Sequence, residues 1–168
     1  MMNKYTKMQQ ELYDFEASKW SPENRDAVVG SFDEHNAWPD YDIYLFKNVE
    51  TAGKIALDFG CGPGRNIVKF APVFARIDGV DISSQNLDST RLWCEKNNVP
   101  FFPNLYKNNG VDLGHIASNQ YDVIYSTICL QHICVHEIRF SLLKDMYRVL
   151  KSGGHVCLQM GYGNTHPH

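Results

Sequence analysis

Three closely spaced glycines after a short apolar run constrain this chain more than any other feature. The stretch ALDFGCGPGRN, residues 56–66, places them at Gly60, Gly62 and Gly64. The residues before them are typical of a buried strand and those after them of a helix. A glycine-rich strand-to-helix turn lets the backbone approach a ligand closely and points helix N–H groups at it. The sequence therefore predicts a ligand-binding loop at this position.

The spacing of the glycines excludes two common phosphate-binding loops. A dinucleotide-binding loop needs its third glycine five positions after the first, where this chain has Arg65. A P-loop needs a Gly-Lys-Ser/Thr sequence, which does not follow. A nicotinamide-dependent oxidoreductase is therefore disfavoured. The pattern present is D-x-G-x-G-x-G, beginning at Asp58.

Strand-like and helix-like segments alternate from the loop onward. Helical spacing predicts helices over 65–74, 83–98 and 136–154, the second capped by serines and the third stopped by a glycine pair. Apolar, aromatic or β-branched runs predict five strands, at 54–60, 76–83, 99–104, 121–128 and 155–160. Alternation of this kind indicates an α/β fold, with a parallel open sheet covered by helices on both faces.

The first 50 residues differ in character from the rest. They are helix-leaning, rich in aromatic side chains and interrupted by two prolines. One helix is predicted to begin at Ser21 and another to span 38–49. We expect residues 1–50 to form a helical N-terminal cap on a ligand-binding domain of residues 51–168, the whole making one compact domain.

The amino-acid composition indicates which kinds of partner and surroundings suit this chain. The chain has 16 Lys and Arg against 19 Asp and Glu, a net charge of −3, and no basic block, so a nucleic-acid surface is not indicated. No apolar run reaches the roughly 18–20 residues of a membrane span, and no signal peptide is evident. The 5 cysteines are scattered without a C-x-x-C pair, which is typical of reduced thiols. We expect a cytoplasmic protein.

Two cysteines and two histidines lie close together in the sequence without matching a zinc pattern: Cys129, His132, Cys134 and His136. The apolar residues between them are typical of a buried loop-to-helix segment. We expect no metal site.

The glycine loop resembles the first motif of class I S-adenosylmethionine-dependent methyltransferases. Three further segments are similar to later motifs of that family, in its order and spacing: GVDIS at 79–83, YDVIYSTICLQHI at 121–133 and MYRVLKSGGHVCLQM at 146–160. The resemblance covers about residues 52–160. It implies a three-layer Rossmann-like sheet in the strand order 3-2-1-4-5, S-adenosylmethionine as the cofactor and S-adenosylhomocysteine as the product.

The same resemblance assigns cofactor contacts to residues at the ends of the strands. Asp81 is expected to accept hydrogen bonds from the ribose hydroxyls, and Ile82 to pack against the adenine. Asp58 carries a charge that can organise the ammonium group. Asn109 stands where the family often has an acidic residue, and its amide oxygen can accept from the adenine amino group. The full predicted set is Asp58, Gly60, Cys61, Gly62, Gly64, Asp81, Ile82, Asn109, Gly110, Ser126 and Thr127.

The sequence gives weaker indications of the residues that would bind the molecule receiving the methyl group (the acceptor). His132 is a candidate general base, although a packed histidine explains it more simply. The N-terminal segment offers further candidates for the same role: Tyr13, His35 and Asp40. It also holds three aromatic residues that suit an acceptor pocket or ordinary helix packing: Trp20, Phe32 and Trp38. The lack of basic clusters favours a small-molecule or glycan-like acceptor over nucleic acid.

The C-terminal end departs from the family pattern. Family members continue past the fifth strand with a helix and an antiparallel strand pair, whereas this chain stops at "GYGNTHPH". We expect a truncated representative without that pair, whose exposed sheet edge favours association with another copy. Methyl transfer is the leading function. A module that binds S-adenosylmethionine without turnover is the alternative, because the truncation removes residues that often shape the acceptor site.

Overall fold

The computed structural model describes residues 4–19 and 44–160. An N-terminal helix α1 (Lys4–Ala17) precedes five strands and three further helices. In chain order these are β1 (Ile55–Phe59), α2 (Arg65–Phe70), β2 (Arg76–Asp81), α3 (Ser84–Lys96), β3 (Leu105–Lys107), β4 (Tyr121–Thr127), α4 (His136–Val149) and β5 (Leu150–Gln159). A short 3-10 turn, Leu130–His132, lies between β4 and α4.

The five strands form one parallel sheet in the order β3-β2-β1-β4-β5. This confirms the predicted fold class and strand order. Because all strands run the same way, their carboxyl ends meet at one edge, where loops from β1, β2 and β4 converge. Ligands in open parallel sheets bind at that edge, near the point where the strand order reverses.

Alternate residues of each strand supply two separate cores on the two faces of the sheet. Leu57 and Phe59 of β1 pack with the buried stripe of α4. Ala56, immediately before Leu57, packs on the opposite face with residues of α2 and α3. The period of two along the strand therefore fixes which helices cover which face. The predicted stripe of α4 is buried: Ile138, Leu142, Met146 and Val149.

Serine begins α3 as its pattern predicts. The Ser83 side chain accepts a hydrogen bond from the Asn86 N–H at 3.2 Å, which is the geometry of an N-cap. Within α3 the structure also decides between two core candidates, since Trp93 is buried and Leu92 is exposed. The cap places the start of α3 directly after β2, so that this helix begins beside the carboxyl edge.

The third strand lies elsewhere than predicted. The expected strand at 99–104 is a loop, and β3 instead occupies Leu105–Lys107. Pro100 and Pro103 lack N–H donors for a strand ladder, and the Phe102 side chain is exposed. The apolar content of this segment was therefore a misleading signal.

The boundary between α4 and β5 also differs from the prediction. Helix α4 ends at Val149, not at the Gly153-Gly154 pair, because Leu150 already has the extended ψ of 140°. Strand β5 starts there and contains a register shift against β4 between Tyr121 and Val123. Gly153, with φ of +75°, lies within this irregular part of the strand.

The N-terminal predictions are only partly covered. Helix α1 agrees with the helix-leaning character of the first residues, and residues 44–48 form a turn. The helix predicted to begin at Ser21, and the first half of the one predicted over 38–49, lie outside the described residues. None of the described helices is long and apolar enough to cross a membrane.

Candidate cofactor site

A pocket opens at the carboxyl edge of the sheet, between the loops that follow β1, β2 and β4, with α1 forming one wall. Nine predicted residues line it: seven of the cofactor set, Gly60, Cys61, Gly62, Asp81, Ile82, Gly110 and Thr127, and two acceptor-side candidates, Tyr13 and His132. Four predicted cofactor residues are not: Asp58, Gly64, Asn109 and Ser126. The topology therefore brings most of the predicted site together from four separate loops.

Gly60 and Gly62 form the floor of the pocket. Both have left-handed backbones, with φ of +72° and +53°. A Cβ atom built on Gly60 would overlap the Cys129 sulfur and lie 2.7 Å from the Cys129 Cβ. Only glycine therefore allows the loop after β4 to pack this closely on the loop after β1.

Gly64 serves packing between helices. It has φ of +88° and precedes α2, and a Cβ there would lie 2.8 Å from the Thr90 Cγ2 on α3. The Thr90 hydroxyl also donates a hydrogen bond of 2.8 Å to the Gly62 carbonyl. The third glycine thus lets α3 approach the loop from outside and support the glycines that line the pocket.

Asp81 joins the glycine loop to the end of β2. Its carboxylate accepts hydrogen bonds from the N–H groups of Gly62 at 2.9 Å and Ser83 at 2.8 Å, and from the Asn86 amide at 3.2 Å. Burial raises the pKa of Asp81, while these hydrogen bonds act to lower it. The result is a buried acceptor with fixed orientation at the pocket wall.

The loop after β3 presents a different asparagine from the predicted one. Asn108 is buried and lines the pocket. The Asn109 side chain is exposed, and its Oδ1 accepts hydrogen bonds from the N–H groups of Val111 and Asp112. Asn109 is therefore part of a local turn. Sequence alignment in this loop was uncertain by one position, which is enough to exchange the two side chains.

Asp58 lies beneath the pocket rather than in its wall. It is 1% exposed, and neither carboxylate oxygen has a hydrogen-bond partner of good geometry within residues 4–19 and 44–160. Burial raises the pKa of Asp58 well above its usual range, and the nearby Tyr125 hydroxyl lowers it. A carboxyl group without partners at this depth favours its neutral form.

The end of β4 holds the glycine loop from the other side. The Ser126 hydroxyl donates a hydrogen bond of 2.8 Å to the Phe59 carbonyl, so this residue is structural in the described geometry. The Thr127 hydroxyl accepts from the Asn66 amide, and both of these residues line the pocket. The Asn66 amide oxygen is left buried and without a partner among the described residues.

Helix α1 closes the pocket from above. The Gln9 amide donates a hydrogen bond of 2.8 Å to the His132 carbonyl, which ties the helix to the turn after β4. The Tyr13 side chain lines the pocket, and burial raises its pKa to about 12, with Cys129 and Asp81 adding to the shift. Tyr13 is consequently a protonated hydrogen-bond donor at neutral pH and does not suit the role of a general base.

The expected absence of a metal site concerns the cysteines and histidines near the end of β4. Among residues 4–19 and 44–160, no group of three or more histidine, cysteine or acidic side chains is arranged to hold a metal ion. Burial raises the pKa of the Cys129 thiol to about 12, so this side chain stays protonated. The remaining acceptor-side candidates lie outside the described residues: His35, Asp40, Trp20, Phe32 and Trp38.

Comparison with known proteins identifies the family. A family model described as a methyltransferase domain matches residues 57–158. The chain belongs to the class I S-adenosylmethionine-dependent methyltransferases. The matched range runs from β1 to β5 and so contains the strands and loops that form the pocket.

This chain is similar to part of the length of two curated methyltransferases. The ribosomal protein L11 methyltransferase of Campylobacter concisus (strain 13826) is 27% identical over 118 residues, covering 69% of this chain and 38% of that protein. The ubiquinone biosynthesis O-methyltransferase of Proteus mirabilis (strain HI4320) is 30% identical over 106 residues, covering 62% of this chain and 40% of that protein. The match therefore spans about two fifths of each relative.

A solved structure shares the fold. Phosphoethanolamine N-methyltransferase 1 of Haemonchus contortus, in complex with phosphoethanolamine and S-adenosylhomocysteine, superposes with a TM-score of 0.71 at 14% identity. The superposition covers 94% of this chain and 32% of that one. At this identity the likeness concerns the fold alone.

The pocket fits the cofactor that the family implies. S-adenosylmethionine carries hydrogen-bond donors on its ammonium group, its ribose and its adenine. The pocket wall presents the Asp81 carboxylate and two amide side chains, Asn66 and Asn86, whose oxygens are buried without partners among the described residues. Unpaired buried acceptors are costly and are expected where a ligand supplies the donors. S-adenosylmethionine is therefore the cofactor of this fold.

Sequence reasoning missed five polar or charged residues of the pocket: Gln9, Arg65, Asn66, Asn86 and Asn108. Asn66 and Asn86 lie in the first turns of α2 and α3, close behind predicted binding residues. Both could have been predicted as polar side chains in the first turn of a helix that follows a binding loop. No sequence pattern predicts the position of Gln9, because its place in the pocket depends on how α1 packs.

Proposed function

We propose that this protein transfers a methyl group from S-adenosylmethionine to a small-molecule acceptor. The observation that carries the proposal is the arrangement around Asp81, a buried carboxylate that accepts the N–H of Gly62 and faces a pocket at the carboxyl edge. S-adenosylmethionine, when bound, supplies an electrophilic methyl group. The protein then has to orient the acceptor and exclude water.

The cofactor roles divide between the loops. We propose that Asp81 and Asn86 hold the ribose, that Ile82 and Gly110 contact the adenine, and that Asn108 takes the part expected of Asn109. Gly60 and Gly62 leave room for the amino-acid part. Asn66 supports this division because its unpaired oxygen is a suitable acceptor for an ammonium group.

The acceptor is proposed to bind under α1. The pocket lining under α1 combines neutral polar side chains, Gln9 and Tyr13, with the apolar Ile133 and Leu142. Such a lining suits an uncharged acceptor with a hydroxyl group and an apolar body. The names of the two curated relatives refer to a ribosomal protein and to ubiquinone biosynthesis, so the family itself does not decide between a protein and a small molecule.

His132 is the candidate general base. It lines the pocket, its side chain is exposed, and its carbonyl is held by Gln9. Tyr13, as a protonated donor, is proposed to orient the acceptor oxygen. A base is needed only when the acceptor must lose a proton on attack.

A turnover assay tests the proposal. The protein is incubated with S-adenosylmethionine and separate panels of phenols, glycans and peptides, and S-adenosylhomocysteine release is measured. We expect turnover with hydroxylated small molecules, and a reduced kcat in His132→Asn with unchanged S-adenosylhomocysteine affinity. Saturable cofactor binding without transfer to any panel would favour the alternative, a binding module of the same fold.

Two further expectations belong with this proposal. The outer side of β5 has no neighbouring strand among the described residues, Val156 and Leu158 are exposed, and residues 152–160 contain no acidic residue, lysine, arginine or proline. Such an edge supports pairing with a second copy, which light scattering would detect.

All five cysteines are free, which supports a cytoplasmic location.

A further inference from the structure

Ile128, at the end of β4, has a backbone conformation that β-branched residues rarely adopt. Its φ is +55°. The other described non-glycine residues with positive φ are all asparagines, which tolerate this region: Asn48, Asn98 and Asn119. Ile128 lines the pocket, and strained residues at such positions persist only where their surroundings hold them.

Gln159, the last residue of β5, holds this strained turn. Its side-chain Oε1 accepts the Ile128 N–H at 3.0 Å, and its own carbonyl lies 3.3 Å from the same N–H. Gln159 is also the register partner of Thr127 in the sheet. One residue on the edge strand therefore contacts the turn through both its side chain and its backbone.

The turn that Gln159 holds lies against the cofactor loop. The Thr127 hydroxyl, one residue before Ile128, accepts the Asn66 amide. Cys129, one residue after it, packs directly on Gly60. A change in the backbone of Ile128 would reorient both contacts, because each is made by an immediate neighbour.

We propose that Gln159 is a positioning residue for the cofactor site. Its side chain stabilises the left-handed conformation of Ile128 and thereby sets Thr127 and Cys129 against the glycine loop. Gln159 itself does not line the pocket. The inference rests on the proposed function in one respect, namely that the pocket binds S-adenosylmethionine and its product.

The test combines removal of the hydrogen-bond acceptor on Gln159 with relief of the backbone strain at Ile128. Gln159→Met removes the side-chain oxygen at similar size, Gln159→Glu keeps an acceptor, and Ile128→Gly allows positive φ without strain. Each variant and the double variant Gln159→Met with Ile128→Gly are compared by S-adenosylhomocysteine titration and by thermal unfolding without ligand. Gln120→Met is the matched control, because the Gln120 side chain is exposed and bonds only to the Ser118 carbonyl.

We expect Gln159→Met to weaken S-adenosylhomocysteine binding about fivefold, since the backbone carbonyl still accepts the Ile128 N–H. Gln159→Glu should bind within about twofold of the original protein, as should Gln120→Met. In the Ile128→Gly background, Gln159→Met should change binding less than about twofold, because glycine needs no support at this φ. The unfolding midpoints should show the same dependence on residue 128.

Equal effects of Gln159→Met in both backgrounds would overturn the proposal, as would a loss with Gln159→Glu equal to that with Gln159→Met. If Gln159→Met does not fold alone, recovery of folding by Ile128→Gly supports it and an unfolded double variant contradicts it. Absence of any S-adenosylhomocysteine binding by the original protein would instead refute the proposed function. The unfolding measurements without ligand would still decide whether residues 128 and 159 are coupled.

Discussion

Two buried aspartates on neighbouring strands have opposite surroundings. Asp78, in β2, is 0% exposed and accepts hydrogen bonds from the Tyr121 hydroxyl at 3.0 Å, the Asn104 N–H at 3.0 Å and the Arg76 guanidinium at 3.2 Å. Asp58, in β1, is 1% exposed and has no hydrogen-bond partner of good geometry among the described residues. The first carboxylate is satisfied by the fold, whereas the second lies under a ligand pocket.

The difference separates a carboxylate that stabilises the fold from one that lies under the ligand pocket. In the middle of β2, where it pairs with Leu57, Asp78 joins β2 to β4 through Tyr121 and to the loop before β3 through Asn104. At the carboxyl ends, polar atoms without partners and left-handed residues accumulate around the pocket. Local strain and unsatisfied groups are expected where a ligand completes the structure.

The largest expected effect is on stability, at Asp78. Asp78→Ala should lower the free energy of unfolding by about 3–5 kcal/mol, because it leaves the buried Tyr121 hydroxyl and the Asn104 N–H without their acceptor. Urea denaturation measures the change. The control Asp88→Ala removes a surface ion pair with Arg91 and should change stability by less than about 0.5 kcal/mol. A loss as small as that of the control would show that the Asp78 network does not stabilise the fold.

A smaller effect is expected from the third glycine of the loop. Gly64→Ala should cost about 2–3 kcal/mol, because the new methyl group adds a clash with Thr90 to the strain of positive φ. Gly53→Ala is the matched control, since its φ is +71° and no atom lies within 4 Å of the added Cβ. Equal losses in urea denaturation would mean that the approach of α3 does not require a glycine at position 64.

The smallest predicted effect is an increase in stability, at Asp58. The pKa of Asp58 is raised in the folded protein, so the folded state binds this proton more tightly than the unfolded state does. Stability is therefore highest below the ordinary pKa and falls as the pH rises through the raised pKa. Asp58→Asn should raise the free energy of unfolding at pH 7 by about 1 kcal/mol or more and flatten its dependence on pH above 4.

Urea denaturation between pH 4 and pH 8 checks the Asp58 variant, with Asp78→Asn alongside as the variant expected to lose stability. If Asp58→Asn also loses stability at pH 7, the ionised Asp58 has a partner in the fold and the contrast between the two aspartates fails. The same variant should bind S-adenosylhomocysteine more weakly if Asp58 organises the ammonium group, as its position before the glycines predicts.

The sequence predicted those parts of the fold that depend on local pattern. The glycine loop, a buried first strand in a sheet with helices on both faces, and the Ser83 cap each follow from local sequence pattern. The strand order came from resemblance and is confirmed. Strand β3 was misplaced because it is only three residues long and follows an apolar stretch that its prolines keep out of the sheet.

The pocket was predicted where one loop supplies adjacent residues and missed where distant elements meet. Asp81 and Gly62 follow from the resemblance of their motifs to those of the family. The hydrogen bond between them was not predicted but is consistent with that assignment. The place of Gln9 depends on the packing of α1, and that of Asn108 on a turn set by Asn109. The left-handed Ile128 could not be predicted, since nothing in the local sequence favours that conformation.

The most direct test is calorimetric titration of the original protein and of Asp81→Ala with S-adenosylhomocysteine and, separately, with NAD. The account predicts saturable binding of one S-adenosylhomocysteine per chain, no binding of NAD, and a loss of about 1–3 kcal/mol in binding free energy for Asp81→Ala. Asp88→Ala, which changes an exposed aspartate of α3, should bind as the original protein does. Binding of NAD without S-adenosylhomocysteine, or unchanged affinity in a folded Asp81→Ala variant, would contradict it.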